Sequence, residues 1–226
     1  FDMSEYQDKA SIYRFIGSPD GLIVGALTEA IYQRPYSLIL LDEFEKSHQD
    51  ILNIFLQVLD EGRLTDGLGR TVDFQNTIII ATSNAHSVFV KQELENKKSV
   101  KEIAENLKMK LSEYFRPEML NRFSDIIVFR GLKLEEIRSV SRIQLNDLAE
   151  DLDEAQGIKL EFDESVLKQV AFLGYDPVYG ARPLRKVISD NIRSVLAEKI
   201  LRQEIGRGNA VRIVFENARF DFKVVG

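Results

Sequence analysis

The 226-residue sequence contains no cysteine and only two histidines. Without cysteine the chain can form no disulfide bond and can use no thiol in catalysis, and nothing indicates an oxidising compartment. Because His48 and His86 are far apart in the sequence, a metal site built from histidine is not expected. No apolar run approaches the roughly 18 residues that a membrane span requires, and the N-terminus has no signal-peptide pattern. We therefore expect a cytoplasmic protein with no membrane partner.

Positive charge is in deficit as well. The chain has 30 Lys and Arg against 36 Asp and Glu, which gives a formal net charge of -6. This balance repels phosphate backbones, and no basic run with interleaved aromatic residues occurs, so no nucleic-acid partner is expected. The content of 44% hydrophobic and 29% charged residues is typical of an ordinary folded protein, and the length suits two domains of unequal size.

Four aliphatic residues lead directly into two carboxylates in the stretch LILLDEFEK, residues 38–46. An aliphatic run bounded by charge predicts a strand that is buried on both faces, as in the centre of a parallel α/β sheet. Ligands bind at the carboxyl edge of such a sheet, so Asp42 and Glu43 are candidates for chemistry. A solvated strand end explains these two residues equally well at this point.

A second buried strand is predicted in NTIIIATSN, residues 76–84, and it too ends in polar residues. An amphipathic helix is predicted at 47–61, and the turn signal Asp66-Gly67 then indicates a hairpin or ordered loop. Two buried strands joined through a helix predict a βαβ arrangement with polar groups at one sheet edge. The stretch SDIIVF, residues 124–129, predicts another short core strand.

Beyond residue 130 the pattern changes to long amphipathic helices, predicted at 134–155, 163–173 and 183–204. Two strand-like pieces close the chain. We therefore expect an α/β domain at residues 1–130 and a small, mainly helical domain with short β-strands at 131–226.

Taken together, four stretches resemble the second ATPase module of the Clp AAA+ unfoldases, the group that includes ClpB, ClpC and ClpA. These stretches are SLILLDEFEK, LQVLDEGRLTDGLGRTVDFQNTIIIATSN, FRPEMLNRF and GARPLRKVI, in the order and approximate spacing of the family. The resemblance covers essentially the whole chain. It implies a P-loop-type parallel sheet with helices, followed by an AAA+ small domain. It also implies ATP and Mg2+ as cofactors, and a homo-oligomeric ring, a hexamer, that threads unfolded or aggregated polypeptide through a central pore.

The resemblance gives roles to the two carboxylates. Asp42 matches the Walker B aspartate, which holds the nucleotide-bound magnesium largely through water, and Glu43 matches the glutamate that orients and activates the attacking water. Adjacent side chains on a strand point to opposite faces. Both residues can therefore serve one site only if the backbone leaves the pleat at the strand end.

Three further polar residues match functional positions of the family. Asn84 matches sensor 1, whose amide can contact the attacking water or the terminal phosphate. Arg122 matches the arginine finger, which reaches the nucleotide of the neighbouring subunit, and Arg116 is a weaker candidate for that role. Arg182 matches sensor 2, which carries positive charge to the phosphates bound by its own subunit.

The sequence departs from the family pattern at three places. The phosphate-loop string G-x-x-x-x-G-K-S/T does not occur, so we expect a piece of a longer protein, incomplete at the N-terminus of its sheet, that by itself binds nucleotide poorly. In FIGSPDGLIVGALTEA, residues 15–30, Leu22 or Ile23 replaces the aromatic residue that grips substrate, and the loop is shortened. Either natural variation toward aliphatic contact or the loss of a mobile loop explains this. No apolar-Gly-apolar tripeptide occurs between Asn84 and Arg116, which favours a disaggregating machine over a feeder of a peptidase.

Several functions stay open at this stage. The first is an ATP-dependent unfoldase or disaggregase subunit. The second is a catalytically silent fragment for oligomerisation and nucleotide sensing, and the third is a regulatory ATPase subunit that feeds a ClpP-type peptidase, with an adaptor as a further partner. A motor acting on DNA would keep the fold, but the acidic balance and the loop GRLTDGLGRTVDF argue against it.

Overall fold

The computed structural model describes residues 1–176 and 180–225 of the chain. Within them the fold is mixed α/β, with a parallel pair of strands near the start and a three-stranded sheet near the end. The chain divides into two units, residues 1–130 and 131–226.

The first unit contains four strands and six α-helices. The strands are β1 (Ser37–Leu41), β2 (Arg63–Thr65), β3 (Thr71–Asp73) and β4 (Thr77–Ala81). The α-helices are α1 (Ser11–Ile16), α2 (Ala26–Gln33), α3 (Gln49–Glu61), α4 (Ser87–Glu95), α5 (Val100–Lys110) and α6 (Pro117–Leu120). Short 3-10 helices lie at Met3–Glu5, Phe44–Lys46 and Leu111–Glu113.

Strand β1 pairs in parallel with β4, in a register that places Ser37 beside Thr77 and Leu41 beside Ala81. Helix α3 lies between them in the sequence and ends at Gly62, whose φ of 67° is the left-handed conformation that glycine adopts readily at a helix C-terminus. The predicted βαβ arrangement is therefore confirmed. Because the strands run in the same direction, their carboxyl ends meet at one edge of the sheet.

A cluster of phenylalanine rings forms the core beneath this edge. Phe44 comes directly after Asp42 and Glu43, the two acidic residues that follow β1, and is only 1% exposed. Its ring packs edge-on against Phe55 of α3, with centroids 5.4 Å apart, and is stacked on Phe115 at 5.5 Å. Phe15 of α1 extends the cluster by contacting Phe55 at 5.7 Å. The segment after β1 is thus anchored in the core by the residue next to Glu43.

The prediction that β1 and β4 are buried on both faces is wrong for the described residues. On one face Ile39 and Leu41 are buried, as the core requires. On the other face the alternate residues are exposed, and we call them the aliphatic face: Leu38, Leu40, Ile78 and Ile80. The sequence pattern identifies a strand with two apolar faces, but burial of the second face needs a packing partner, and none of the described segments supplies one.

The predicted strand at residues 124–129 is also not formed. Ile127 and Phe129 are exposed, the latter by 87%. A β-strand is stable only when a neighbouring strand accepts and donates its backbone hydrogen bonds. No described strand pairs with this segment.

The second unit combines helices with a small sheet. Its elements are α7 (Leu134–Gln156), β5 (Lys159–Phe162), α8 (Glu164–Leu173), α9 (Leu184–Ile188), α10 (Ser194–Leu201), β6 (Ala210–Glu216) and β7 (Arg219–Val224). Strand β6 is central, parallel to β5 and antiparallel to β7. The predicted helix at 183–204 is found as α9 and α10, joined by one π-helical segment at Ser189–Arg193. Across the described part of the chain, no helix combines the length and the apolar character needed to cross a membrane.

Candidate functional site

The carboxyl ends of β1 and β4 are joined by backbone hydrogen bonds beyond the strands themselves. The Thr82 amide donates to the carbonyl oxygen of Leu41 at 2.9 Å, and the Phe44 amide donates to the carbonyl oxygen of Thr82 at 3.0 Å. These bonds hold the segments that follow β1 and β4 side by side beyond the end of the sheet. Asp42 and Glu43 lie inside this frame.

The backbone leaves the pleat at Glu43. Its φ of 54° and ψ of 45° are left-handed, a conformation that costs a residue with a side chain about 1–2 kcal/mol. The Glu43 amide donates to the hydroxyl oxygen of Thr82 at 3.2 Å, and buried Phe44 anchors the next position. This confirms that the chain turns at the strand end, as a shared site for Asp42 and Glu43 requires.

Asp42 is held by its backbone and by one side-chain oxygen. Its amide donates to the carbonyl oxygen of Phe1 at 2.8 Å, and its carbonyl oxygen accepts from the Met3 amide at 2.8 Å. The Thr82 hydroxyl donates to Asp42 Oδ1. Asp42 Oδ2 accepts no hydrogen bond from any described residue. An exposed carboxylate with one oxygen fixed and one open is thus presented at the sheet edge.

The Glu43 carboxylate has two partners. Lys46 Nζ lies 2.6 Å from Oε2, and the side-chain amide of Asn84 donates to Oε1 at 3.4 Å. The hydrogen bond to Glu43 raises the pKa of Lys46 above its ordinary value of 10.5. The structure thus brings together three of the residues that the sequence singled out: Asp42, Glu43 and Asn84.

Glu45 is a member of this cluster that sequence reasoning missed. Its Oε1 accepts a hydrogen bond from the Asn84 backbone amide at 3.2 Å. Its Oε2 is buried and has no hydrogen-bond partner among the described residues. The alternation of acidic residues in DEFEK was the available signal, because the short 3-10 helix after β1 turns the second acid back toward β4.

Arg122 does not join the cluster. Arg122 follows α6 and forms an ion pair with Asp60 of α3, with its side chain 53% exposed. Arg116 precedes α6 and makes no ion pair with a described residue. Arg182 belongs to the second unit, where it is exposed in the turn that precedes α9.

The loop between α1 and α2 presents apolar side chains to solvent. Leu22 is 83% exposed, and Ile23 and Val24 are exposed beside it. The loop is closed by hydrogen bonds: the amide of Ser18 donates to the carbonyl of Ile23, and the amide of Ile23 donates to the Ser18 hydroxyl, both at 2.9 Å. The hydroxyl of Ser18 donates to Asp20 and thereby holds the pKa of that carboxyl below its ordinary value. The aliphatic loop is therefore a closed turn among the described residues.

The hairpin between β2 and β3 lies against this loop, a neighbourhood that the sequence did not reveal. The Gly67 amide donates to the carbonyl oxygen of Ile16 at 3.0 Å. A Cβ at Gly67 would lie 2.3 Å from the carbonyl oxygen of Gly17, and a Cβ at Gly25 would lie 2.2 Å from the backbone of Ile16. These two glycines therefore permit the close approach of the backbones.

Arg70 fixes the hairpin to helix α2. It binds Asp66 at 2.7 Å and Glu29 at 3.1 Å, and its guanidinium lies over the Tyr32 ring at 4.9 Å from the centroid. Burial raises the pKa of Asp66, but the hydrogen bonds and charge of Arg70 outweigh burial and hold it below the ordinary value. A cleft of about 380 Å³ lies between hairpin and loop, and Leu68 at the hairpin tip is exposed.

A metal at this edge would have few protein ligands. Among residues 1–176 and 180–225, no group of three His, Cys, Asp or Glu side chains is arranged to hold a metal ion. Asp42 offers one open carboxylate oxygen, a hard donor of the kind that Mg2+ binds while keeping several waters. The donor set therefore fits a magnesium ion held mainly by water and phosphate oxygens.

Comparison with known proteins gives two family matches. Residues 1–126 match the family described as AAA domain (Cdc48 subfamily). Residues 132–213 match the family described as C-terminal, D2-small domain, of ClpB protein. The two matched segments follow one another along the chain.

Curated relatives cover nearly all of this chain. Chaperone protein ClpB of Agrobacterium fabrum is 48% identical over 227 aligned positions, and the alignment covers 99% of this chain and 26% of that protein. The protein of the same name from Meiothermus ruber is 48% identical over 211 residues, 92% of this chain and 25% of that protein. Chaperone protein ClpB of Rickettsia felis is 46% identical over 228 aligned positions, and the alignment covers 99% of this chain and 26% of that protein. The chain thus spans about a quarter of the length of the curated relatives that it matches.

Proposed function

The chain belongs to the AAA domain family, Cdc48 subfamily, with a D2-small domain of the ClpB type, and from this premise we propose that it is the second ATPase module of a ring-forming chaperone. In this proposal the whole protein hydrolyses ATP to thread unfolded or aggregated polypeptide through a central pore, in the cytoplasm. The observation that carries the proposal is the convergence of Asp42, Glu43 and Asn84 at the carboxyl edge of β1 and β4.

Asp42 would hold the nucleotide-bound Mg2+, largely through water, by its open carboxylate oxygen. Magnesium, when bound, neutralises negative charge on the phosphates of ATP. Thr82 and the backbone contacts keep the carboxylate at the sheet edge, so little reorientation is needed. The phosphate-cradling loop of the site would come from a segment outside this sequence, since no G-x-x-x-x-G-K-S/T string occurs in it.

Glu43 acts as the base for the attacking water, and Asn84 orients that water. A carboxylate can accept a proton, and an amide can donate and accept hydrogen bonds at the same time. Glu43 is now engaged by Lys46 and Asn84. Each oxygen of the carboxylate accepts only one of these contacts, so a lone pair stays available for a hydrogen bond from water.

Arg122 acts across the subunit interface and Arg182 acts within its own subunit. Support for the first role comes from the ion pair of Arg122 with Asp60 of α3, away from Asp42 and Glu43, and from its side chain, which is about half exposed. A planar, permanently charged guanidinium suits phosphate oxygens. Because such a site needs two subunits, the active form is a homo-oligomeric ring, a hexamer in this proposal.

Leu22 and Ile23 contact the polypeptide in the pore. They lie in a closed loop with their side chains in solvent, so they are free to make apolar contacts with an extended polypeptide. Aliphatic contact is not specific for sequence, which suits substrates that share only exposed apolar segments.

The proposal is tested by ATP hydrolysis of the full-length protein with and without an unfolded protein. We expect hydrolysis that unfolded protein stimulates, and loss of hydrolysis in the Glu43→Gln variant. Assembly in ATP without any hydrolysis would favour a silent oligomerisation and sensing role instead. Hydrolysis that DNA stimulates and unfolded protein does not would overturn the polypeptide substrate.

A further inference from the structure

The hydroxyl of Thr82 lies between the two acidic residues that follow β1. It donates a hydrogen bond to Asp42 Oδ1, and its oxygen accepts the backbone amide of Glu43 at 3.2 Å. Thr82 is 40 residues from Asp42 and 39 from Glu43 in the sequence. The Thr82 side chain, just after β4, thus contacts both acidic residues just after β1.

A hydroxyl group suits this position because it carries one hydrogen and two lone pairs. The hydrogen is used on Asp42, and one lone pair is used on Glu43. The first contact takes one oxygen of the Asp42 carboxylate and leaves the other open. The second contact satisfies the amide of a residue whose left-handed backbone takes it out of the sheet ladder.

Each contact has a separate consequence for the site. Fixing Asp42 Oδ1 sets the direction of the open oxygen, which is the one available to a cation. Holding the Glu43 amide stabilises the turn that brings the Glu43 side chain to Asn84, 3.4 Å away. Without the hydroxyl, Asp42 would lose its only side-chain partner among the described residues.

We propose that Thr82 is a positioning residue for ATP hydrolysis, whose hydroxyl sets the orientation of Asp42 and the backbone turn at Glu43 together. This inference rests on the proposed function of the site. In this inference Thr82 does not itself bind the nucleotide or the water. Its effect reaches the reaction through the two acids.

The test compares three variants of the full-length protein. Thr82→Val removes the hydroxyl and keeps the branched shape, whereas Thr82→Ser keeps the hydroxyl. Thr77→Val is the matched control, because Thr77 lies at the other end of β4 and its hydroxyl donates only to the carbonyl of Phe74, at 2.8 Å. Each variant is assayed for kcat, for KM for ATP, and for the Mg2+ concentration that gives half-maximal hydrolysis.

We expect Thr82→Val to lower kcat by about 10–100-fold and to raise the Mg2+ requirement, with a much smaller change in KM for ATP, the range typical of residues that orient metal ligands. Thr82→Ser should restore most of the activity, and Thr77→Val should behave as the wild type. Wild-type kcat in Thr82→Val would overturn the inference. Equal losses in Thr82→Ser or in Thr77→Val would overturn it too, because they would indicate a general structural defect.

A second measurement separates this inference from the proposed function. NMR hydrogen exchange of the Glu43 amide reports the hydrogen bond to Thr82 without any hydrolysis. We expect faster exchange in Thr82→Val and unchanged exchange in Thr82→Ser and Thr77→Val. Unchanged exchange in Thr82→Val would overturn the positioning of the turn. A wild-type protein without ATPase activity would instead overturn the proposed function and the catalytic part of this inference, whatever the exchange shows.

Discussion

The side-chain amide of Asn84 donates a hydrogen bond to the Glu43 carboxylate at 3.4 Å, across 41 residues of sequence. The contact joins the ends of two parallel strands. It depends on the left-handed turn at Glu43, because an extended backbone at that residue would direct the carboxylate to the opposite face of the sheet.

Replacing Glu43 by glutamine should abolish hydrolysis in the full-length protein while ATP still binds. The amide keeps the shape and the hydrogen bond to Asn84, but it cannot accept a proton from water. We expect kcat to fall by about 10²–10⁴-fold, measured by phosphate release, with ATP affinity measured in parallel. Glu61→Gln on α3 is the control, since among the residues that the structure describes Glu61 forms an ion pair only with Arg63, at the surface. Near-normal turnover in Glu43→Gln would remove Glu43 from the role of base.

Replacing Arg122 by alanine should lower the activity of the assembled ring by about 10³-fold or more, the range of arginine fingers. ATP binding by a single subunit should change little, because Arg122 contacts Asp60 rather than its own carboxylate cluster. Arg63→Ala is the matched control, because Arg63 is also exposed and also pairs with an acidic residue of α3, Glu61. Equal effects of the two substitutions would argue against a specific role for Arg122.

Mixed rings test the direction in which Arg122 acts. Combining Arg122→Ala subunits with Glu43→Gln subunits creates interfaces that contain one intact Glu43 and one intact Arg122. We expect partial recovery of hydrolysis at intermediate mixing ratios if the arginine acts on its neighbour. Absence of recovery at every ratio would count against action across the interface.

Replacing Leu22 by serine should slow the unfolding of a protein substrate by about tenfold. The apolar side chain is 83% exposed, and losing its burial against a polypeptide removes roughly 1.5–3 kcal/mol of favourable contact. Leu201→Ser is the control, because Leu201 is equally exposed at the end of α10 in the second unit. Unfolding is followed by loss of fluorescence of a folded reporter substrate. If Leu22→Ser and Leu201→Ser unfold the reporter substrate at the same rate, the loop does not contact the substrate during unfolding.

The cap of helix α8 makes stability depend on pH in the acid range. The Ser165 hydroxyl, followed by the backbone amides of Val166 and Ser165, holds the pKa of Asp163 below its ordinary 3.8. Because the folded pKa is the lower one, this contribution is present above 3.8 and is lost as the pH falls through the folded value. Asp163→Asn keeps a capping oxygen but loses the charge, which costs about 0.3–1 kcal/mol at neutral pH.

The measurement is urea unfolding of the chain by circular dichroism between pH 7 and pH 2. We expect the difference in unfolding free energy between wild type and Asp163→Asn to shrink below pH 4. Asp190→Asn is the control, as Asp190 is exposed in the π-helical segment of the same unit. A difference that stays constant with pH would contradict the role of the Asp163 charge.

Strands β1 and β4 and the polar sheet edge were predictable because they depend on local patterns. An aliphatic run followed by polar residues occurs twice, and the parallel pairing of β1 with β4 follows from the helix between them. The proximity of Asp42 and Glu43 to Asn84 follows from the same topology. The left-handed turn at Glu43 could be named only as a requirement for Asp42 and Glu43 to share one site. Nothing in the residue types favours this turn over an extended backbone.

The remaining features depend on contacts between distant segments. The contact of Gly67 with the loop between α1 and α2 requires two backbones to meet, and glycine in a sequence signals a turn as readily as a close approach. The exposure of the aliphatic face and of Phe129 was mispredicted because hydrophobic periodicity reports what a segment can bury. Whether burial occurs depends on the presence of a packing partner.

The exposed tip of the loop between α1 and α2 also offers a place for a spectroscopic reporter. The sequence has no cysteine, so Leu22→Cys would introduce the sole thiol of these 226 residues, and one fluorophore or spin label would mark one position. The hydrogen bonds that close the loop come from Ser18 and Asp20 and do not use the Leu22 side chain. A label at this tip would therefore follow the movement of the loop while its backbone framework stays intact.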